Sequence, residues 1–332
     1  MRPVYASRQR MICRAIQLSI MGCLFTSPLM GQTAPARLRI ALITAAGSAA
    51  SPSSASAARG VRLGAAEAKQ TAKLFGNDVE LYEATAEHDL AAAAQRLLSQ
   101  RQVQVIIGSS SSDAETLSRF AEANHLLFLN VASRSQRLRA VCRPYTFHIE
   151  ATDAMYANAL RALSKELRTR SRVAAPAALD SAVLWGPSLE RYGASQLNDR
   201  YRAKYRTGMD GNAWAGWAAV KIAAEAALRA QSTDPSRLLA YLQTPGIQFD
   251  GHKGWPLTFR AGDHQLRQPL YVVVRETPGT AAGPRHTLRD VPELRAISSS
   301  GTTSEGPRAS HILDQLIATP TTPRCFLAGT GK

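Results

Sequence analysis

Strand-like and helix-like segments alternate four times between residues 38 and 130, and this alternation constrains the fold more than any other feature. The strand-like runs are short and apolar: LRIALIT (38–44), VELYE (79–83), VQVIIG (103–108) and LLFLN (126–130). The intervening segments carry apolar residues at helical spacing, as in Val61, Ala65, Ala68, Ala72 and Phe75. This order is typical of βαβ units and predicts an α/β fold, a parallel sheet with helices on both faces.

Small hydroxyl residues follow three of the predicted strands, in the loops 47–57, GSSSS (108–112) and NVASRS (130–135). Ligands of open parallel sheets bind beyond the carboxyl ends of the strands. Free amides at a helix start, together with hydroxyls, suit a carboxylate or another small anion. The serine loop therefore predicts a binding site. Capping of the next helix by Asp113 is the plainer alternative.

No arrangement of residues predicts catalysis or a cofactor. A nucleophile elbow around Ser110 needs a glycine where Ser112 stands. The first loop has one glycine where a dinucleotide fingerprint needs three. His252 and His264 lack metal-ligand spacing and each lies beside a predicted turn. We therefore expect a protein that is not an enzyme and that holds no cofactor or metal.

The first 36 residues have the layout of a secretory signal peptide. Arginines are followed by an apolar stretch (15–25), which is too short to span a bilayer, and then by small residues ending at Ala36. A lipoprotein cleavage box at Cys23 is the weaker alternative. We expect export to the periplasm without stable membrane insertion. The formal net charge of +15 comes from scattered cations that are not interleaved with aromatics, which argues against nucleic acid as a partner.

Two cysteines remain beyond this leader, Cys142 and Cys325. An oxidising compartment favours one disulfide between them over two buried free thiols.

Helices predominate in the second half of the chain. They are predicted at 153–167, capped by Thr152 or Asp153, and at 188–206, 213–230 and 234–242. A strand near Val183 and a hairpin pairing 257–259 with 270–274 are also predicted. The Trp214 and Trp217 side chains are assigned to the core. From Pro278 the chain is rich in Pro, Gly, Ser and Thr and predicts an extended tail with one short helix, SHILDQLI.

The order of elements and the serine loop resemble the type I periplasmic solute-binding proteins, which include the branched-chain amino acid receptors of ABC transporters. A closer resemblance is to the branch associated with pyrroloquinoline-quinone-dependent alcohol dehydrogenase systems. Four stretches carry it: LRAVCRPYTFHIEATDAM (138–155), RYGASQLNDRYRAKYRTGMDGNAWAGWAAVKIAAEA (191–226), FDGHKG (249–254) and FRAGDHQLRQPLYVV (259–273).

The resemblance implies two Rossmann-like lobes with a ligand between them. Lobe one would comprise 37–152 and 188–242, lobe two 153–187 and 243–275, and the tail 276–332. The ligand positions of the amino-acid-binding relatives correspond here to Ser110, Ser111, Ser112, Ala132, Ser133 and Arg134. Arg134 is either a ligand cation or one of several solvated arginines, and the basic run SRSQRLR departs from the branch, so the ligand of the branch is not carried over.

Another departure is a short second lobe, because barely a dozen residues between Arg168 and Ser181 replace several βα units. Two functions follow. The first is solute binding for an ABC permease, linked to quinoprotein alcohol metabolism. The second is an accessory protein that docks a periplasmic dehydrogenase or sensor. A hydrolase using Ser110 is disfavoured because no base is placed beside it.

Overall fold

A five-stranded parallel sheet organises the protein. The computed structural model describes residues 36–46, 51–170, 178–275 and 293–297. The sheet has the order β2-β1-β3-β4-β5, and its strands are β1 (Arg37–Ala45), β2 (Asp78–Ala86), β3 (Val105–Gly108), β4 (Leu127–Asn130) and β5 (Thr146–His148). Strands β3, β4 and β5 are buried along their whole length, which explains their continuous apolar character. The four predicted strands are confirmed, whereas β5 was not predicted.

Helices cover both faces of this sheet, as predicted. On one face lie α1 (Pro52–Leu74), α6 (Ala194–Tyr205), α7 (Gly211–Arg229) and α8 (Pro235–Gln243). On the other lie α2 (Leu90–Arg101), α3 (Ala114–Ala123) and the short α4 (Gln136–Ala140). The Trp214 and Trp217 side chains are buried, which confirms their place in the core.

Helix α1 begins earlier than predicted, inside the segment 47–57 that was interpreted as a loop. Ser51 caps it by accepting a hydrogen bond from the Ser54 amide, and Pro52 stands in the first turn. The Ser54 and Ser56 side chains are therefore buried helix residues and not exposed loop hydroxyls.

The chain leaves the sheet after β5 and enters α5 (Asp153–Arg170) and β6 (Ala178–Val183). The Thr152 hydroxyl accepts from the Met155 amide and so caps α5, one of the two caps that the sequence offered. A second, three-stranded antiparallel sheet has the order β11-β10-β6, in which β10 is Leu270–Arg275 and β11 is Glu293–Ile297. Strand β11 lies within the segment that was predicted to be an extended tail.

The predicted hairpin is wrong in its second strand. Three short strands form a further antiparallel sheet: β7 (Phe249–Asp250), β8 (Pro256–Phe259) and β9 (Leu266–Arg267). Strand β8 pairs with β9, whereas β10 pairs with β6 and β11. The turn AGDHQ thus closes a tighter hairpin than expected, and the chain changes sheets at Gln268 and Pro269.

Some predictions concern residues that the structure does not describe. The predicted leader up to residue 35, Cys325 and the SHILDQLI segment lie outside the described residues. Cys142 is half-buried and has a partner, but its pairing with Cys325 stays a prediction, as does the division into two lobes. None of the helices in the described part of the chain has the length and apolar character to cross a membrane.

Helices α1 and α7 approach each other at glycines, so closely that backbone meets backbone. A Cβ at Gly60 would lie 1.8 Å from the Ala213 carbonyl oxygen, and one at Gly216 would lie 2.3 Å from the Ala57 carbonyl oxygen. Such distances are impossible, so the two helices would have to separate. This contact anchors the helical face that covers β1 and β3.

We expect Gly60→Ala to destabilise the protein by more than about 1–3 kcal/mol, the usual cost of overpacking. The direction is informative because Gly→Ala inside a helix otherwise stabilises by about 0.5–1 kcal/mol. Denaturant unfolding measures the difference. Gly262→Ala is the control, since no atom lies within 4 Å of the added Cβ. Equal stability of the two variants would contradict the close contact.

Candidate functional site

The loops that follow the carboxyl ends of β1, β3, β4 and β5 meet at one border of the sheet, which we call the carboxyl edge. In the parallel register Gly108 pairs with Ile43 and with Asn130, and Asn130 pairs with His148. The serine loop, the loop 131–135 and Glu150 therefore leave neighbouring strand ends. Ligands of this class of sheet bind at such an edge.

The serine loop combines buried and open hydroxyls. The Ser109 hydroxyl is buried and lies 2.7 Å from the Ser54 hydroxyl, which ties the loop to α1. The Ser110 hydroxyl lies 2.9 Å from that of Ser112, and Ser111 and Ser112 are exposed. Ser110 itself is 7% exposed. The open side of the loop thus presents hydroxyls next to the first amides of α3, which have no partner within the helix.

Asp113 precedes α3 but does not cap it. Its side chain makes no capping hydrogen bond, and its Oδ2 atom is buried without a hydrogen-bond partner. The capping alternative for this residue is therefore wrong.

The loop after β4 is held from within by Asn130. The Asn130 Oδ1 atom accepts hydrogen bonds from the Ser133 amide (2.8 Å) and the Ala132 amide (3.3 Å), while its Nδ2 donates to the Ser133 carbonyl oxygen. The backbone donors of Ala132 and Ser133 are thus already engaged. Of the six predicted ligand positions, Ala132 and Ser133 therefore have the fewest free backbone donors for a ligand. Their role in binding stays a prediction.

Arg139 also holds this loop in place. Its side chain is 1% exposed. Its guanidinium donates to the carbonyl oxygens of Ser133 (3.1 Å), Ser135 (2.9 Å) and Glu150 (2.5 Å), and to Gln265 Oε1 (2.7 Å). Burial lowers the pKa of Arg139 to about 10, with nearby Glu150 opposing the shift. The group stays protonated at neutral pH. It fastens the loop to the chain after β5 and to the β8–β9 hairpin.

Arg134 is the exposed cation of the carboxyl edge. Its guanidinium carbon lies 4.2 Å from the centre of the Tyr156 ring, and its Nε lies 3.5 Å from Glu150 Oε1. About half of its side chain, 47%, remains exposed. Its contacts within the described residues are thus to Glu150 and Tyr156, and its role as a ligand cation stays a prediction.

Glu150 is fully buried beside Arg134. Its Oε1 accepts hydrogen bonds from the Tyr156 hydroxyl (2.6 Å) and the Ala151 amide (3.1 Å). Burial raises the pKa of Glu150 from 4.5 to about 7, although the Tyr156 hydrogen bond and the two arginines act in the opposite direction. Glu150 was not among the residues predicted for the site. The only local hint in the sequence is a carboxylate directly after a short apolar strand.

The histidines at 252 and 264 have structural roles in turns. Both have positive φ, 57° and 51°. The His264 ring is buried and stacks on Phe147 at 4.3 Å, and the His252 ring stacks on Trp217 at 5.3 Å. In the described parts of the chain, no group of three or more His, Cys, Asp or Glu side chains is arranged to hold a metal ion.

A groove of about 500 Å³ lies elsewhere and is lined mainly by the carboxyl halves of α1 and α7. Its floor contains Leu38 and Val79, which are close to the amino ends of β1 and β2. It therefore lies at the opposite border of the sheet from the serine loop, and we do not assign the ligand to it.

Comparison with known proteins agrees with this geometry. Residues 37–178, less than half of the chain, match the family of periplasmic binding proteins. Among curated proteins, none matches the sequence. A periplasmic binding protein from Burkholderia mallei superposes with a TM-score of 0.62 at 14% identity, over 87% of this chain and 98% of the other. The fold is that of the type I periplasmic binding proteins.

Two further structures of this fold carry ligands. The branched-chain amino acid transporter substrate-binding protein of Streptococcus pneumoniae, in complex with isoleucine, has a TM-score of 0.58 at 14% identity, over 71% of this chain and 95% of its own. A solute-binding protein of an ABC transporter from R. palustris, in complex with benzoate, has a TM-score of 0.56 at 13% identity, over 73% and 94%. At these identities the likeness establishes the fold alone.

The buried carboxyl of Glu150 makes stability depend on pH in a defined direction. Its folded pKa lies above the unfolded value, so the folded protein loses stability as pH rises from about 4.5 to 7. Glu150→Gln removes the cost of the buried charge. We expect the variant to gain about 2 kcal/mol relative to the natural protein between pH 5 and pH 8. Denaturant unfolding at the two pH values gives this number.

Asp199→Asn is the matched control, because it exchanges a carboxyl for an amide at a side chain that is 70% exposed. Its effect should be nearly the same at both pH values. An unchanged difference between the natural protein and Glu150→Gln from pH 5 to pH 8 would contradict a buried, titrating Glu150.

Proposed function

We propose that the protein is the periplasmic substrate-binding component of an ABC-type transport system and that it binds a small polar or anionic solute. The main observation behind this proposal is the carboxyl edge. The exposed serine hydroxyls of the loop 108–112 and the half-exposed guanidinium of Arg134 follow adjacent strands there. The periplasmic-binding-protein fold, the family match over 37–178, and the isoleucine and benzoate bound by proteins of similar fold support this function.

The chemistry of the edge supports binding without catalysis. The only side-chain hydrogen bond of the Ser110 hydroxyl within the described residues is to Ser112. A nucleophilic serine needs a base within hydrogen-bond reach that a third group orients. Among the residues that the structure describes, neither a histidine nor a carboxylate makes a hydrogen bond to the Ser110 hydroxyl. We therefore assign Ser110, Ser111, Ser112 and Arg134 to ligand binding, with Ala132 and Ser133 shaping the loop.

Export and metabolic context complete the proposal. The leader-like first 36 residues support a periplasmic location. The pieces CRPYTFH (142–148) and QLRQP (265–269), which resemble the quinoprotein-associated branch, support a link to alcohol dehydrogenase metabolism. The predicted disulfide between Cys142 and Cys325 fits that compartment.

Thermal unfolding of the purified protein with a panel of small ligands tests the function. The panel contains isoleucine, benzoate, 3,4-dihydroxybenzoate, and small alcohols and aldehydes. A ligand at a hundred times its dissociation constant adds about 2.7 kcal/mol of stability, which raises the Tm by a few degrees. We expect one chemical class to produce such a shift.

The serine loop gives a sharper test. We expect Ser110→Ala to weaken that ligand by about 3- to 10-fold, the value of one neutral hydrogen bond, as measured by calorimetric titration. Ser99→Ala, on the exposed side of α2, is the control and should bind normally. Unchanged affinity in Ser110→Ala would place the ligand away from the serine loop.

The alternative function is a docking protein for a periplasmic dehydrogenase or sensor. The observation in its favour is the second sheet, which has three strands against the five of the main sheet. This function predicts that no compound of the panel shifts the unfolding transition and that the protein forms a stable complex with a purified quinoprotein dehydrogenase.

A further inference from the structure

The Arg134 guanidinium is held on one side and free on the other. Its central carbon lies 4.2 Å from the centre of the Tyr156 ring, and its Nε lies 3.5 Å from Glu150 Oε1. No described residue accepts a hydrogen bond from either terminal nitrogen, Nη1 or Nη2. The side chain is 47% exposed, so these donors are accessible to a ligand. A guanidinium edge with two parallel donors matches the two oxygens of a carboxylate. The held orientation lowers the entropy cost of using it.

Glu150 stands behind this edge as the counter-ion of Arg134. Its side chain is 1% exposed, whereas that of Arg134 reaches the surface. A ligand carboxylate on the Nη edge would bring a second negative charge to the same guanidinium. Two carboxylates that share one site do not both stay ionised as readily as one, so the proton affinity of the buried one rises.

The other charged and titratable groups around Glu150 do not supply a spare cation. Arg139 of α4 already donates its hydrogen bonds to three carbonyl oxygens and to Gln265. Lys253, before β8, is buried with its pKa lowered by desolvation, and His148 of β5 is buried with its pKa lowered for the same reason. Tyr156 of α5 donates a hydrogen bond to Glu150, while Asp153 and Asp263 act on Arg139 and His264 acts on His148. A proton is therefore the simplest compensating charge.

We propose that Arg134 receives a carboxylate of the ligand on its free Nη edge and that Glu150 takes up a proton as this ligand binds, an inference that rests on the proposed solute-binding function. No covalent bond changes. The ligand brings one negative charge, solvent supplies one proton to Glu150, and the net charge of the carboxyl edge is conserved.

The direction of the pH dependence follows from linkage. The pKa of Glu150, about 7 without ligand, rises when the anion binds, so affinity increases as pH falls through the range above 7 and levels off below it. A rise of one unit corresponds to a tenfold change in affinity. The benzoate carboxyl stays ionised throughout this range, so its own titration does not contribute.

Calorimetric titration with benzoate in two buffers of different ionisation enthalpy measures the proton directly. At pH 7.5 we expect uptake of a substantial fraction of one proton per benzoate, and affinity about tenfold higher at pH 6.5 than at pH 8.5. Glu150→Gln keeps the hydrogen-bond acceptor and removes the titration, so it should bind benzoate with no proton uptake and no pH dependence. Arg134→Lys should weaken benzoate at least tenfold, whereas Arg137→Lys, at an exposed neighbour, should not.

Each other outcome decides between the two proposals. Benzoate binding without proton uptake, or equal pH dependence in Glu150→Gln, would overturn the coupling and leave solute binding intact. Binding of an alcohol or aldehyde but of no carboxylate would overturn the role of Arg134 and again leave solute binding intact. No binding by any compound of either class would overturn both.

Discussion

The buried guanidinium of Arg139 is the contact on which the carboxyl edge depends. A charged group in the interior is tolerated only when its donors are paired, and those of Arg139 reach three carbonyl oxygens and one glutamine. These partners belong to the loop after β4, to the chain after β5 and to the β8–β9 hairpin. None of the three can shift alone without leaving a buried cation unpaired, so they hold one another in position.

The buried amine of Lys253 repeats this arrangement. Its Nζ donates to Gln268 Oε1 (2.8 Å) and to the Pro269 carbonyl oxygen (3.2 Å), and it lies 3.7 Å from the centre of the Trp214 ring. The Arg139 and Lys253 side chains thus both find acceptors in one stretch, QLRQP (265–269). Lys253 itself belongs to FDGHKG (249–254). Together these stretches pair buried nitrogen donors with oxygen acceptors where the chain changes from one sheet to another.

Local sequence patterns predicted the elements well and their long-range partners poorly. The apolar runs and helical spacing gave β1 to β4 and the main helices, because a strand buried on both faces leaves a continuous apolar run and a helix buried on one face leaves a periodic pattern. Strand β5 has only three residues, too few for such a trace. Arg139 looked like its neighbours Arg137 and Arg143, because the partner that distinguishes it, Gln265, lies 126 residues away in the chain. The hairpin error has the same origin, since both 266–267 and 270–275 have strand character and only packing decides which of them pairs with β8.

The sequence predicted the position of the serine loop at the carboxyl edge, but not the side-chain contacts around it. Serines after a buried strand marked the carboxyl edge, and the structure puts them there. The buried carboxyl of Glu150 and the stacking of Arg134 on Tyr156 depend on where α5 lies, which no local pattern encodes. The side chain of Asn130, which occupies the amides of Ala132 and Ser133, has a consequence of its own. Within the loop 131–135, the groups left to face a solute are side chains rather than these two amides, so single substitutions there can change the surface chemistry while the loop keeps its shape.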